Sequence, residues 1–183
     1  MALAYLPNIE ELLWPEGFRR DVWMIVDAAR DRKVFSILVN SYLEYSCLYS
    51  GPIPPALEAA APYLVQLEHE DRYTRELLEH AWGNTWGIVM RCDSGLDRLR
   101  RHLRQFLVVR DPRGNRLVFR YYDPRVFRVY LPTCNESELR TIFGPIESFY
   151  AEDENPQDVW EFRRDGGRLL QTRKSLAAAR SAR

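Results

Sequence analysis

Two helix starts lie within Leu117–Phe149, LVFRYYDPRVFRVYLPTCNESELRTIFGPIESF, and both are specified by side-chain chemistry as well as by hydrophobic pattern. Leu117–Tyr122 is a short apolar and aromatic run that predicts a buried strand. Asp123-Pro124 ends it and starts a helix: the Asp carboxylate accepts orphan backbone N–H groups, and Pro suits the first helical position, where its missing donor costs nothing. Val126, Phe127, Tyr130 and Leu131 recur at helical spacing and give one apolar stripe, which Pro132 limits. Asn135 with Glu138 three residues on predicts a second N-cap with its capping-box partner. Leu139, Ile142 and Phe143 form the inner face of that helix, and Gly144-Pro145 stops it. The centre of the chain therefore reads strand, tight turn, helix, turn, helix.

A length of 183 residues fits one domain, or one with a small appendage. The division expected is an α/β domain over 1–149 and a small variable region with a basic tail over 150–183. Hydrophobic residues at 46% and aromatics at 13% supply a packed core, which excludes global disorder. No apolar run approaches the roughly 18 residues a membrane span needs. The start, MALAYLPNIEELLWPEG, has no basic leader, so no secretory signal is expected. Cys47, Cys92 and Cys134 lack metal-ligand spacing and read as free thiols in a reducing cytosol, which places the protein in the cytoplasm. Lys plus Arg equals Asp plus Glu at 26 each, but residues 1–90 hold 7 basic and 13 acidic side chains, and residues 91–140 hold 12 and 6. Opposed fields of that kind hold two parts together or steer a partner; ordinary solvated faces are the plainer reading.

Taken in order, Ile9, Leu12 and Leu13 predict a short helix broken by Trp14-Pro15, and Val22–Val26 predicts a buried strand with Asp27 at its carboxyl end. Asp27 is a candidate ligand residue by position, although an acid there more often caps a helix or pairs with an arginine. A helix over Lys33–Tyr42 and strands at Tyr45–Tyr49 and Tyr63–Leu67 follow, with a helical turn at Leu57–Ala61 between the strands. Next come a helix over Asp71–Trp82 and a strand at Trp86–Arg91. Ser94 and Asp97 read as a capping pair for a helix over Leu96–Gln105, whose inner face is Leu96, Leu99 and Leu103 while Arg98, Arg100, Arg101 and Arg104 point elsewhere. Phe106–Arg110 and Leu117–Tyr122 form a hairpin about Asp111–Asn115. Ala151–Asp158 reads as an acidic loop, Val159–Arg163 with Leu169–Thr172 as a small hairpin, and Arg173–Arg183 as a basic tail that frays or folds on a partner. The fold class expected is α/β: a mixed β-sheet packed with helices, with a small C-terminal lobe or hairpin and a basic tail.

The chain has no glycine-rich phosphate loop, no G-x-S-x-G elbow, no zinc-protease motif and no paired Cys motif, so no catalytic residue, metal or cofactor is expected. His69, His80 and His102 are isolated, and His102 among arginines is expected to hold a proton poorly. Asp27, Asp93, Asp111 and Asp123 fall at predicted strand ends. Gathered at one cleft, such carboxylates would hold magnesium for phosphotransfer or nuclease chemistry, which is the alternative function; as turn and cap residues they would not. Arg120, Arg125 and Arg128 interleave with Tyr121, Tyr122 and Phe127 about Asp123. With net charge zero and the aromatics in an apparent strand, an internal Arg–Asp lattice or a protein dock is more economical than nucleic-acid binding.

The sequence resembles the adaptor chaperones of bacterial type VI secretion, the family filed as domain of unknown function 4123. WMIVDAARD (Trp23–Asp31), CLYSGPIPPALEAAAPYLVQLE (Cys47–Glu68), WGIVM (Trp86–Met90), LDRLRRHLRQFLVVRDPRG (Leu96–Gly114) and FRYYDPRVFRVYLP with LRTIFGPI (Phe119–Ile146) carry the resemblance in the family's order. FRYYDPRV and the HLR piece are the most specific. The resemblance implies an accessory protein that is not an enzyme, binds a secreted effector toxin and helps load it on the VgrG spike protein. No nucleic acid and no membrane span are expected from the residues themselves. The partner-binding residues expected are Arg120, Tyr122, Asp123, Arg125, Phe127 and Arg128, as the wall of an aromatic groove with a charged rim.

Overall fold

The computed structural model describes residues 4–17 and 20–177. Seven strands build its main sheet: β1 (Asp21–Asp27), β2 (Tyr45–Cys47), β3 (Pro62–Leu67), β4 (Gly87–Cys92), β7 (Ile146–Glu152), β8 (Asp158–Asp165) and β9 (Arg168–Ser175). Two more, β5 (Val108–Arg110) and β6 (Arg116–Val118), form a separate ribbon. The order in the main sheet is β2-β3-β1-β4-β7-β8-β9, antiparallel at every pairing. The fold class is the α/β one expected, and the C-terminal hairpin β8–β9 continues the sheet through β7.

Strand alternation builds two cores. Val22, Met24 and Val26 join the cluster on one face with Ile9, Leu13, Val34, Leu38, Leu77 and Leu78; Trp23 and Ile25 join the other with Leu99, Leu103, Phe127, Leu139 and Phe143. The first face is covered by α1 (Leu6–Leu13), α2 (Arg32–Asn40) and α4 (Arg72–Ala81), the second by α5 (Leu96–Arg104), α6 (Pro124–Tyr130) and α7 (Glu136–Phe143). α3 (Pro55–Glu58) is a single turn that buries nothing. Because both faces are covered, β1 reads as a continuous apolar run rather than an alternating one. Among the described residues no helix is long and apolar enough to cross a membrane.

β4 and β7 are neighbours, yet residues 93–145 run between them, so α5, the ribbon, α6 and α7 form one excursion over the second face. The local signals in it are largely met. Asp123 accepts from Arg125 N at the start of α6, and Asn135 and Glu138 make both bonds of the capping box on α7. The Ser94–Asp97 cap is not formed: Gly95 is the N-cap of α5, without a side-chain bond, and Asp97 sits in the first turn, where a carboxylate complements the helix dipole.

The buried strand expected at Leu117–Tyr122 is also corrected. β6 stops at Val118, is exposed and pairs only with β5. Tyr121 and Tyr122 are buried in the turn beyond it by tertiary packing; the Tyr121 hydroxyl donates to Leu103 O at 2.9 Å. Arg173–Ser175, assigned to a fraying tail, are the end of β9, and Arg173 pairs with Asp153 and Asp158. The rest of that tail, 178–183, lies outside the described residues.

Candidate partner-binding site

β1 ends on Asp27, and of the side chains singled out in FRYYDPRVFR it is Arg120 that reaches it. Asp27 is 3% exposed; its Oδ1 accepts from Ala29 N at 3.0 Å and its Oδ2 lies 3.4 Å from the Arg120 guanidinium. Burial pushes the Asp27 carboxyl above its ordinary range, against the pull of the Ala29 N–H and of Arg120 and Arg30. Burial works the same way on Asp123, but hydrogen bonds from the Arg125 side chain and backbone N–H outweigh it and hold that carboxyl below its ordinary range. Arg128 crosses to the next strand end, donating to Glu152 O and approaching Asp153 at 3.9 Å. Tyr122 and Phe127 do not line a groove. They are 1% and 0% exposed, and Phe127 packs on Phe149 and Phe162 in the core. The expected aromatic wall is therefore interior, and Arg120 and Arg125 are the half-exposed members of the set.

Sequence reasoning missed Glu152. Its carboxylate accepts from Gly83 N and from Thr85 N (2.7 Å), pinning a loop in which both residues have left-handed backbone, φ 81° and 55°. Its neighbours Asp153 and Glu154 made it look like part of an acidic loop, and nothing in the sequence marks it apart from them.

The strand-end acids do not converge. Asp93 follows Cys92, which pairs with Asp21, so it sits at the opposite end of β1 from Asp27. That is a separation of about 20 Å at ~3.3 Å per residue. Asp93 pairs with Arg20 at 2.9 Å, and Asp111 accepts the Arg113 and Asn115 N–H groups inside its own turn. No group of three or more His, Cys, Asp or Glu among the described residues is arranged to hold a metal ion. His102 is half-buried between α5 and α7, bonded to Ile142 O at 2.8 Å. Burial lowers its pKa, with the carbonyl bond working the other way, so it holds a proton poorly for a reason other than the nearby arginines.

Leu117 and Val118, expected inside, lie at the surface with the rest of the ribbon. Val108, Val109, Leu117 and Val118 are 41, 40, 49 and 59% exposed. Val108 pairs with Val118 on one side, and Val109 with Leu117 on the other. The first side borders a groove of about 490 Å³ shared with Leu48, Tyr49, Arg101 and Arg104; the second borders a cavity of about 90 Å³ against Phe106, Phe119, Tyr121 and Tyr130. Arg100 fixes the groove's other bank by donating to Cys47 O and Tyr49 O, which ties α5 to the edge strand β2. The ribbon pairs over three residues and joins no further strand, so its alternating residues have no sheet to bury them; the sequence carried no signal of this.

Residues 22–141 match the family described as Domain of unknown function (DUF4123). The chain belongs to that family. No curated protein and no solved structure matches it. The DUF4123 match runs from β1 into α7, taking in Asp27, Arg120, Asp123 and the whole ribbon, and stops before β7 and Glu152.

Asp27 gives this DUF4123 chain a pH signature of definite sign. Its folded pKa lies above the ordinary 3.8, so its contribution to stability is present below that value and lost as pH rises through the folded one. Asp27→Asn retains an acceptor for Ala29 N and carries no charge to bury. Thermal melts across the acid range are expected to show a flatter profile for the variant, with a midpoint at neutral pH no lower than wild type. A clear loss at neutral pH would mean that pairing with Arg120 outweighs burial.

Proposed function

We propose that this chain is a cytoplasmic adaptor chaperone that binds one secreted effector toxin of a type VI secretion system and promotes its loading onto the VgrG spike. The observation that carries the reading is the uncovered ribbon: four apolar side chains on a short, self-paired element, beside a packed core that does not need them. Membership in DUF4123 and the resemblance of FRYYDPRV and the α5 segment to the secretion adaptors support the same reading. The carboxylates also speak for it. Asp27, Asp111, Asp123 and Glu152 are engaged by backbone N–H groups, Asp27 and Asp123 also by arginine, and Asp93 is paired with Arg20 at the far end of the sheet.

The test is genetic and biochemical. Deleting the gene is expected to abolish secretion of one toxin while VgrG is still exported, and the tagged chain is expected to co-purify with that toxin. Undiminished toxin export without the chain would defeat the reading. So would metal-dependent turnover by the isolated chain that Asp27→Asn abolishes.

A further inference from the structure

The groove between α5 and the Val108/Val118 side of the ribbon is apolar in its floor and basic in its rim. Arg101, Arg104 and Arg116 line it with Leu48, Leu107, Val108 and Val118, and no carboxylate does. None of those three guanidinium groups makes an ion pair or a side-chain hydrogen bond among the described residues, whereas Arg20, Arg75, Arg120, Arg125, Arg128, Arg140, Arg163 and Arg173 are all ion-paired. Other basic side chains without an ion pair among the described residues, such as Arg32, Arg98 and Arg168, stand elsewhere on the surface; at the groove three such guanidinium groups stand beside exposed aliphatics. Along that side of the ribbon the Val108–Val118 pair is followed, two residues on, by the Arg110–Arg116 pair. β5 and β6 bond only to each other, so each also offers a free edge of backbone donors and acceptors.

We propose that this groove seats an extended segment of a partner protein, added as a strand to the ribbon edge, whose groove-facing side alternates aliphatic and acidic residues. The inference rests on the adaptor reading, in which that segment belongs to the effector. Backbone pairing would supply affinity, and the alternate side chains would supply register and choice of partner. A second copy of this chain fits poorly, because it would bring Arg110, Arg113 and Arg116 against the same arginines. A nucleic acid is favoured less, because the groove lining offers one aromatic ring, Tyr49, where single strands want stacking platforms.

Anisotropy titrations of the full chain with short fluorescein-labelled peptides test this. TVTETVTE is expected to bind, and TVTKTVTK and TSTETSTE to bind on the order of tenfold more weakly. Arg101→Glu with Arg104→Glu, and separately Val118→Asp, are expected to weaken TVTETVTE by a similar factor; circular dichroism melts matching wild type would show that these changes leave the fold intact. Failure of TVTETVTE to bind, indifference to the substitutions, tighter binding of oligothymidylate, or self-association of the chain through the ribbon would each overturn the proposal. Co-purification of the toxin separates the two levels. Toxin held equally by wild type and by both variants removes the groove and leaves the adaptor reading standing, whereas toxin held by none removes both.

Discussion

Gly87→Ala is expected to cost about 3 kcal/mol or more, enough to unfold much of the population. Gly87 opens β4 and pairs with Val26 of β1. A Cβ built there would lie 1.7 Å from Ile25 O and 2.8 Å from Ile25 C, contacts with backbone rather than with a side chain that could swing away. β1 cannot retreat, because β3 holds its other edge through six register pairs. The close approach is what a strand glycine permits. Urea unfolding followed by tryptophan fluorescence would measure the loss. Gly95→Ala is the control: its Cβ meets nothing, and the change from Gly to Ala at an N-cap is expected to cost no more than about 1 kcal/mol. Equal midpoints for Gly87→Ala and wild type would show that the two strands separate freely.

Glu152→Ala should destabilise by about 2–3 kcal/mol, since two N–H groups lose a charged acceptor, a bond worth roughly 1.5–3 kcal/mol, while the exposed Gly83 amide can turn to water. The carboxylate satisfies Gly83 N and Thr85 N across a separation of more than sixty residues, and the left-handed conformation of Thr85 persists because its surroundings fix it. Trp82 adds a second tie to the same loop by donating its indole N–H to Pro156 O at 2.9 Å. Glu152→Gln keeps one acceptor and turns a donor toward the other N–H, so it is expected to fall between Ala and wild type. Hydrogen exchange at the Gly83 and Thr85 amides gives the local readout. Protection unchanged in Glu152→Ala would mean that these amides find other acceptors.

What the sequence made legible was local. Asp123-Pro124 and the Asn135–Glu138 box are chemistry between near neighbours, and both form as read. The strand positions of Val22–Val26 and Tyr63–Leu67 followed from short runs rich in β-branched, aromatic and other apolar residues, and both form as read. Burial was the weak point, because it depends on which element covers which. Val118 and Tyr122 are four residues apart in one aromatic and aliphatic run, yet one faces solvent and the other is sealed beneath the excursion. By its company of arginines Phe127 reads as part of a partner's wall; Pro124 and the C-cap residue Leu131, also buried, mark the side of α6 that turns inward. Arg91 shows the same difficulty from the polar side. It is the penultimate residue of an apolar strand, yet it is buried and donates to Leu12 O and Leu13 O at the close of α1.

The path between β4 and β7 has a consequence for how such a surface diversifies. Its two feet, Cys92 and Ile146, stand beside each other in the ladder, so the span between them is a closed loop of fixed ends. Closure entropy grows only with the logarithm of loop length, by about 0.6 kcal/mol per doubling. Residues added at the Asp111–Asn115 bend would therefore tax the fold very little, and descendants of one scaffold can lengthen or trim that tip without disturbing the seven strands that carry it.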